Sequence, residues 1–119
     1  MHEFSLCRGL VDAAIEEYEA LDPPAIRLTA VRVIVGGMHQ IVPEYMITAF
    51  ELLTQDTVAA GSMLNLQIQP VIGQCQKCKW EGKIIPPFFQ CPACDALAIN
   101  VLKGHELYLD RLEVELDEH

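Results

Sequence analysis

Between residues 4 and 20 apolar side chains return at every fourth position, at Leu6, Leu10, Ala14 and Tyr18, with Val11 and Ile15 beside them. That period predicts an amphipathic helix. Asp22-Pro23-Pro24 ends it, because proline cannot continue a helix and restricts the residue before it. The next run, IRLTAVRVIV at 26–35, is β-branched and partly alternating, which predicts a strand that Gly36-Gly37 breaks. A second helix is expected from Pro43 to about Gln55, with proline at its first position and Glu44 in its first turn. Met46, Ile47, Phe50 and Leu53 give it one apolar face. The stretch 63–72 alternates through Leu64, Leu66 and Ile68, and predicts a strand whose end, at Pro70, lies on a sheet edge.

Two more strands follow, at 97–102 and 106–116. In the last, Leu107 and Leu109 are odd-numbered while Leu112, Val114 and Leu116 are even. A bulge near Asp110-Arg111 would bring all five to one face. The pattern therefore predicts an α+β fold, two helices packed on a small mixed sheet, with a segment inserted between two successive strands. The expected division is 1–72 plus 97–119 as an α+β domain and 73–96 as the insert.

Charge singles out the same insert. The 119-residue chain has a formal net charge of −9 and 51% hydrophobic residues, enough for a core. Residues 1–72 carry three basic and nine acidic groups, and 97–119 carry two and six. Residues 73–96 carry Lys77, Lys79 and Lys83 against Glu81 and Asp95. A chain this acidic repels phosphate, which argues against nucleic acid as a partner. No apolar run approaches the roughly 20 residues that span a bilayer, and no signal segment is visible, so a cytoplasmic protein is expected. In that reducing compartment five cysteines point to metal more than to disulfides.

Four of the five lie in CQKCKWEGKIIPPFFQCPAC, as Cys75-x2-Cys78 and Cys91-x2-Cys94. Each C-x-x-C turn offers two thiolates to one ion, and two such turns complete a tetrahedron, the geometry preferred by Zn²⁺. Protein fills all four positions, so the zinc is expected to be structural. Iron in a rubredoxin-like site is the competing metal. A twenty-residue insert has little core of its own, and metal would supply most of its folding energy. Trp80, Ile84, Ile85, Phe88 and Phe89 read as packing around the site, with Phe88-Phe89 open to a second reading as an exposed patch. Lys79 and Asp95 follow the second cysteine of each pair, where a left-handed backbone suits glycine; aspartate tolerates it better than lysine, so strain is expected in the first turn.

The N-terminus, Met1-His2-Glu3, holds a second candidate site. The Met1 α-amine, the His2 amide nitrogen and the His2 imidazole can close adjacent chelate rings on one ion, an arrangement favouring square-planar Ni²⁺ or Cu²⁺ over Zn²⁺. The Glu3 amide or a distant side chain would complete the plane, and Glu3 also reads as a group orienting the imidazole. Cys7 reads as a small helix side chain, or as a soft ligand near His2. His39, His105 and His119 are lesser ligand candidates. No catalytic triad, paired-acid site or phosphate loop is present, so no enzyme is expected.

These features together resemble the HypA/HybF family of hydrogenase maturation factors over nearly the whole chain. The resemblance is carried by Met1-His2-Glu3, Gly36, Pro43-Glu44 with Phe50, Thr57, Gly61 and Leu64, the two cysteine pairs with Cys91-Pro92-x-Cys94, and Gly104-x-Glu106-Leu107. Ala60 and His105 stand where the family commonly has acidic residues, and Lys79 and Asp95 where the turns commonly carry glycine. The resemblance implies a nickel metallochaperone: Ni²⁺ bound through His2 as transient cargo, structural Zn²⁺ in the insert, and delivery to the large-subunit precursor of a [NiFe]-hydrogenase with the GTPase partner HypB. Some members also serve urease. The residues alone support a narrower alternative, a zinc-stabilised module that binds protein or nucleic acid and has no nickel role.

Overall fold

The computed structural model describes residues 2–117. In chain order the elements are α1 (His2–Glu19), β1 (Arg27–Gly36), α2 (Pro43–Thr54), β2 (Met63–Gln69), β3 (Val71–Cys75), β4 (Glu81–Ile84), β5 (Ile99–Lys103) and β6 (Leu107–Glu115). The α+β class and the two helices are as expected, but the strands form two three-stranded sheets, ordered β2-β1-β6 and β4-β3-β5. Pro70 explains the difference. With no N–H to donate, it ends edge strand β2, and the run expected as one strand continues as β3 at the centre of the second sheet. The chain divides into two compact units, one of residues up to 34, 41–67 and from 108 on, the other of 35–40 and 68–107. The cysteine-bearing unit is thus wider than the 73–96 insert.

In the first unit β1 is central. Leu28, Ala30, Val31, Val33 and Ile34 are all buried, a nearly continuous run instead of a strict alternation, so both faces of the strand are covered along this stretch. β6 runs antiparallel to it: the Ile26 amide donates to the Glu115 carbonyl and the Thr29 hydroxyl to that of Glu113. Alternation in β6 breaks where expected, since Asp110 and Arg111 are both exposed between half-buried Leu109 and Leu112. Leu116, expected on the same face, lies past the strand and is exposed.

The helices bury faces slightly rotated from those the apolar pattern suggests. α1 buries Glu3, Cys7, Val11 and Ala14, while Leu6, Leu10 and Tyr18 flank that stripe half-buried. α2 buries Met46, Ala49, Phe50 and Thr54, and leaves Ile47 exposed. The two helices run parallel: Glu3 meets Val42 and Cys7 meets Met46, contacts that advance together by one turn in each helix. Val42 caps α2 and has no side chain able to do so. Glu3 does it from α1, accepting the Val42 amide at 2.9 Å.

In the second unit β3 pairs antiparallel with both neighbours, Val71 opposite Ile84 and Gly73 opposite Gly82 and Val101. Gly36 and Gly104 close it at the other end. The Gly36 amide donates to Glu106 and that of Met38 to Gly104. A Cβ on Gly36 would overlap the Gly104 carbonyl, so no other residue fits without moving the backbone. Gly36→Ala is expected to destabilise this unit by roughly 3 kcal/mol, as overpacking against backbone does, read as a lower urea midpoint with an unchanged slope.

Candidate metal centre

The four cysteines come from two turns of the same construction. In the first, the Lys79 amide donates to the Cys75 carbonyl at 3.0 Å and the Cys75 amide to Trp80 at 2.7 Å. In the second, Asp95 donates to Cys91 at 2.8 Å and Cys91 to Ala96 at 2.9 Å. Each turn reverses through a left-handed residue, Lys79 at φ 69° and Asp95 at φ 63°. The strain is expected in the first of the two turns, because Lys79 lacks the short polar side chain that eases this conformation. Amides also point inward at sulfur: Cys78 N–H lies 3.4 Å from Cys75 Sγ and Ala93 N–H 3.4 Å from Cys91 Sγ.

The turns face one another. Cys75 Sγ lies 3.7 Å from Cys94 Sγ, and Cys78 Sγ lies 3.6 Å from Cys91 Sγ. All four sulfurs fall within 4.8 Å of one another. A disulfide would need about 2.05 Å. Four thiolates at about 2.3 Å from one tetrahedral ion sit about 3.8 Å apart, so the spacing fits a metal and excludes a covalent bridge. Cys75 and Cys91 are buried at the ends of their turns, while Cys78 and Cys94 are exposed.

The electrostatics carry the same demand. The Cys78 backbone N–H draws the Cys75 thiol down to about 6 against the opposing effect of desolvation. A bond from the Ala96 backbone favours the Cys94 thiolate, but desolvation and the sulfurs of Cys78, Cys75 and Cys91 outweigh it and push Cys94 up to about 12. Four sulfurs in so small a volume cannot all ionise unless a cation joins them. A bound metal here would lock the two turns together, and with every position filled by thiolate it would leave no place for substrate.

The aromatic and aliphatic residues between the cysteines divide. Ile84 is buried, and Trp80 packs its ring over Gly82, whose missing side chain makes the room. Ile85 and Phe88 are exposed at the ends of a turn closed by the Phe88 amide on the Ile85 carbonyl, so they do not pack around the site.

Elsewhere, His2 opens α1 and is exposed, while Met1 and His119 lie outside the described residues. Cys7 is buried on α1 with its thiol 3.8 Å from the Met46 carbonyl, and burial pushes it up to about 11. It is a packed helix side chain, as its simpler reading held, and a poor source of thiolate. His39 ends a short 3₁₀ turn, and its Nε2 lies 3.0 Å from the His105 carbonyl oxygen. The fold brings these two residues together, but among the described residues the cysteines form the group of three or more ligating side chains arranged for an ion. The carboxylate of Glu3, offered by sequence as a donor or an orienting group, is turned to α2 and held below the usual carboxylate range, first by the Val42 amide and then by its own.

A protein-family model described as hydrogenase/urease nickel incorporation, metallochaperone, HypA matches residues 1–114. The chain belongs to that family. HypA of Shewanella baltica (strain OS185), a hydrogenase maturation factor, is 34% identical over 118 residues, covering 99% of both chains. That of Solidesulfovibrio magneticus is 36% identical over 119 residues, covering 97% of this chain and all of its own. Among solved structures, the solution structure of the Ni metallochaperone HypA from Helicobacter pylori aligns over 98% of this chain and 100% of its own, with a TM-score of 0.61 at 24% identity, and so shares the fold. HypA proteins are metallochaperones and not enzymes. Among the described residues no helix is long and apolar enough to cross a membrane.

The geometry of the turns yields two expectations. Cys75→Ser should lose bound metal and unfold the β4-β3-β5 unit while α1 and α2 persist, seen by metal analysis and amide resonances. Lys79→Gly should raise the stability of the metal-loaded protein by about 0.5–1 kcal/mol, because relief of a left-handed non-glycine residue exceeds the entropy cost of glycine. Asp95→Gly should gain less.

Proposed function

We propose that this HypA protein is a nickel carrier with two separate metal sites. Ni²⁺ is its cargo, taken up at the N-terminus by the His2 imidazole, the Met1 amine and backbone amides of the first residues. Zn²⁺ is its structural metal, held by Cys75, Cys78, Cys91 and Cys94. Nickel is delivered in the cytoplasm to the large-subunit precursor of a [NiFe]-hydrogenase, with the GTPase HypB as partner. The insert at 73–96 is the zinc-holding module within the wider unit of 35–40 and 68–107. The observation that carries this reading is the match to a nickel-incorporation family over residues 1–114, a span that includes His2 and all four cysteines.

The chemistry of the two donor sets supports the division of labour. Four thiolates closed around one ion suit a metal that stays. Amine, amide and imidazole at a chain end suit one that must be passed on, because they offer few side-chain ligands and have to shed protons to bind. Affinity for nickel is therefore expected to fall in mild acid. An exposed imidazole at the first residue of α1 is also accessible to a receiving protein.

The test uses untagged protein with its own N-terminus, since any residue ahead of Met1 removes the amine. One zinc per chain as purified is expected, with one nickel taken up by wild type and lost in His2→Ala at unchanged zinc content. Zinc without nickel uptake would leave a zinc-stabilised interaction module, and iron in place of zinc would make the cluster an electron-transfer site.

A further inference from the structure

α1 and α2 lie parallel with their N-terminal ends together, an arrangement with an electrostatic cost. Each helix carries about half a positive charge at its N-terminus, and here the two ends stand side by side. The cost is greatest for a function that brings a dication to the same place. One carboxylate is buried between those ends. Glu3 is 7% exposed and accepts the Val42 amide of α2 at 2.9 Å. From the first turn of α1 it satisfies a donor at the start of α2, and it lays one full negative charge between two half-positive ends.

Among the described residues, Glu3 is the one buried carboxylate at this end. Glu44 stands in the first turn of α2 but is exposed. Val42 has no polar side chain, and Pro43 no amide. One turn further in, Cys7 meets Met46, so the register of the two helices continues from the Glu3 contact into the core.

We propose that Glu3 is a positioning residue for nickel: its carboxylate clasps the paired N-termini of α1 and α2 and cancels their positive field, and it does not ligate the ion. This rests on the reading of His2 as part of the nickel site. The clasp fixes where His2 sits on α1, and it makes the surroundings tolerable for a dication. It also explains why α2 starts without a capping residue of its own: the cap is supplied from α1.

The test is titration of Ni²⁺ into untagged wild type, Glu3→Gln, Glu44→Gln and His2→Ala, following both heat and the visible absorption of bound nickel. Glu3→Gln keeps an acceptor oxygen for Val42 and loses only the charge. It is expected to bind nickel about tenfold more weakly, as loss of one nearby opposite charge in a partly screened setting does, with the absorption band at the wild-type position. Glu44→Gln removes the same charge from the first turn of α2 without touching the clasp, and is expected to change affinity less than twofold. In metal-free protein, Glu3→Leu should speed exchange of the Val42 amide, while the core amides of β1 stay protected. A shifted band in Glu3→Gln would make the carboxylate a ligand and overturn the proposal. Wild-type affinity in Glu3→Gln, or equal losses in the two glutamine variants, would overturn it too. If wild type takes up no nickel, or His2→Ala takes it up unchanged, the site reading itself fails and this proposal falls with it. That outcome is distinct from nickel binding that depends on His2 and ignores Glu3.

Discussion

Four sulfurs held 3.6 and 3.7 Å apart across two facing turns are the constraint on which the second unit depends. The sheet β4-β3-β5 is three short strands, and the buried apolar residues of its unit are few: Val35, Val71 and Ile84, with Cys75 and Cys91 beside them. A core that small cannot offset the entropy of ordering the 46 residues of 35–40 and 68–107. The turns are nonetheless built in detail. Each has an amide closing onto the first cysteine's carbonyl, an amide aimed at sulfur, and a residue forced into the left-handed region. Such strain and such crowding of thiols persist when something binds them together, and a tetrahedral cation does so.

The first unit solves a different problem. It has an ordinary core, built on the central strand β1 and on the stripes Cys7-Val11-Ala14 of α1 and Met46-Ala49-Phe50 of α2. Its unusual feature is a carboxylate inside that core's edge. A buried charge is tolerated only when it is hydrogen-bonded or compensated, and Glu3 has both an amide partner and the positive ends of two helices. The two candidate sites therefore differ in kind. One is closed by side chains and would hold an ion as part of the fold. The other is proposed at a chain end, where the fold supplies position and charge balance more than ligands.

Several readings failed for reasons that can be named. Periodicity placed Leu6, Leu10 and Tyr18 at the centre of the helix face because it scores only apolarity, and it could not nominate Glu3, whose burial depends on an amide thirty-nine residues away. The same blindness hid the cap of α2, since Val42 offers no signal in sequence. The run at 63–72 looked like one strand because its apolar character does not change at Pro70, although proline's missing donor splits it between two sheets. β4 passed unseen because EGKI has neither length nor alternating apolarity, and its pairing with β3 defines it. Ile85 reads as packing because apolar residues near a site usually are, yet its turn leaves it exposed; Phe88 is exposed too, in line with the alternative reading of Phe88-Phe89 as a surface patch.

What the sequence alone determined were the features set by local covalent rules: helix and strand periods, proline breaks, and the two C-x-x-C spacings whose thiolates can share one ion. The left-handed positions at Lys79 and Asp95 belong here too, because a tight turn requires them whatever surrounds it. Tertiary structure alone decided which strands became neighbours, that α1 and α2 lie parallel, and that a glutamate beside the N-terminus would be buried as the cap of another helix. Those outcomes rest on contacts between residues far apart in the chain. Their energies depend on burial, hydrogen-bond partners and the summed fields of whole helices, none of which a local pattern encodes.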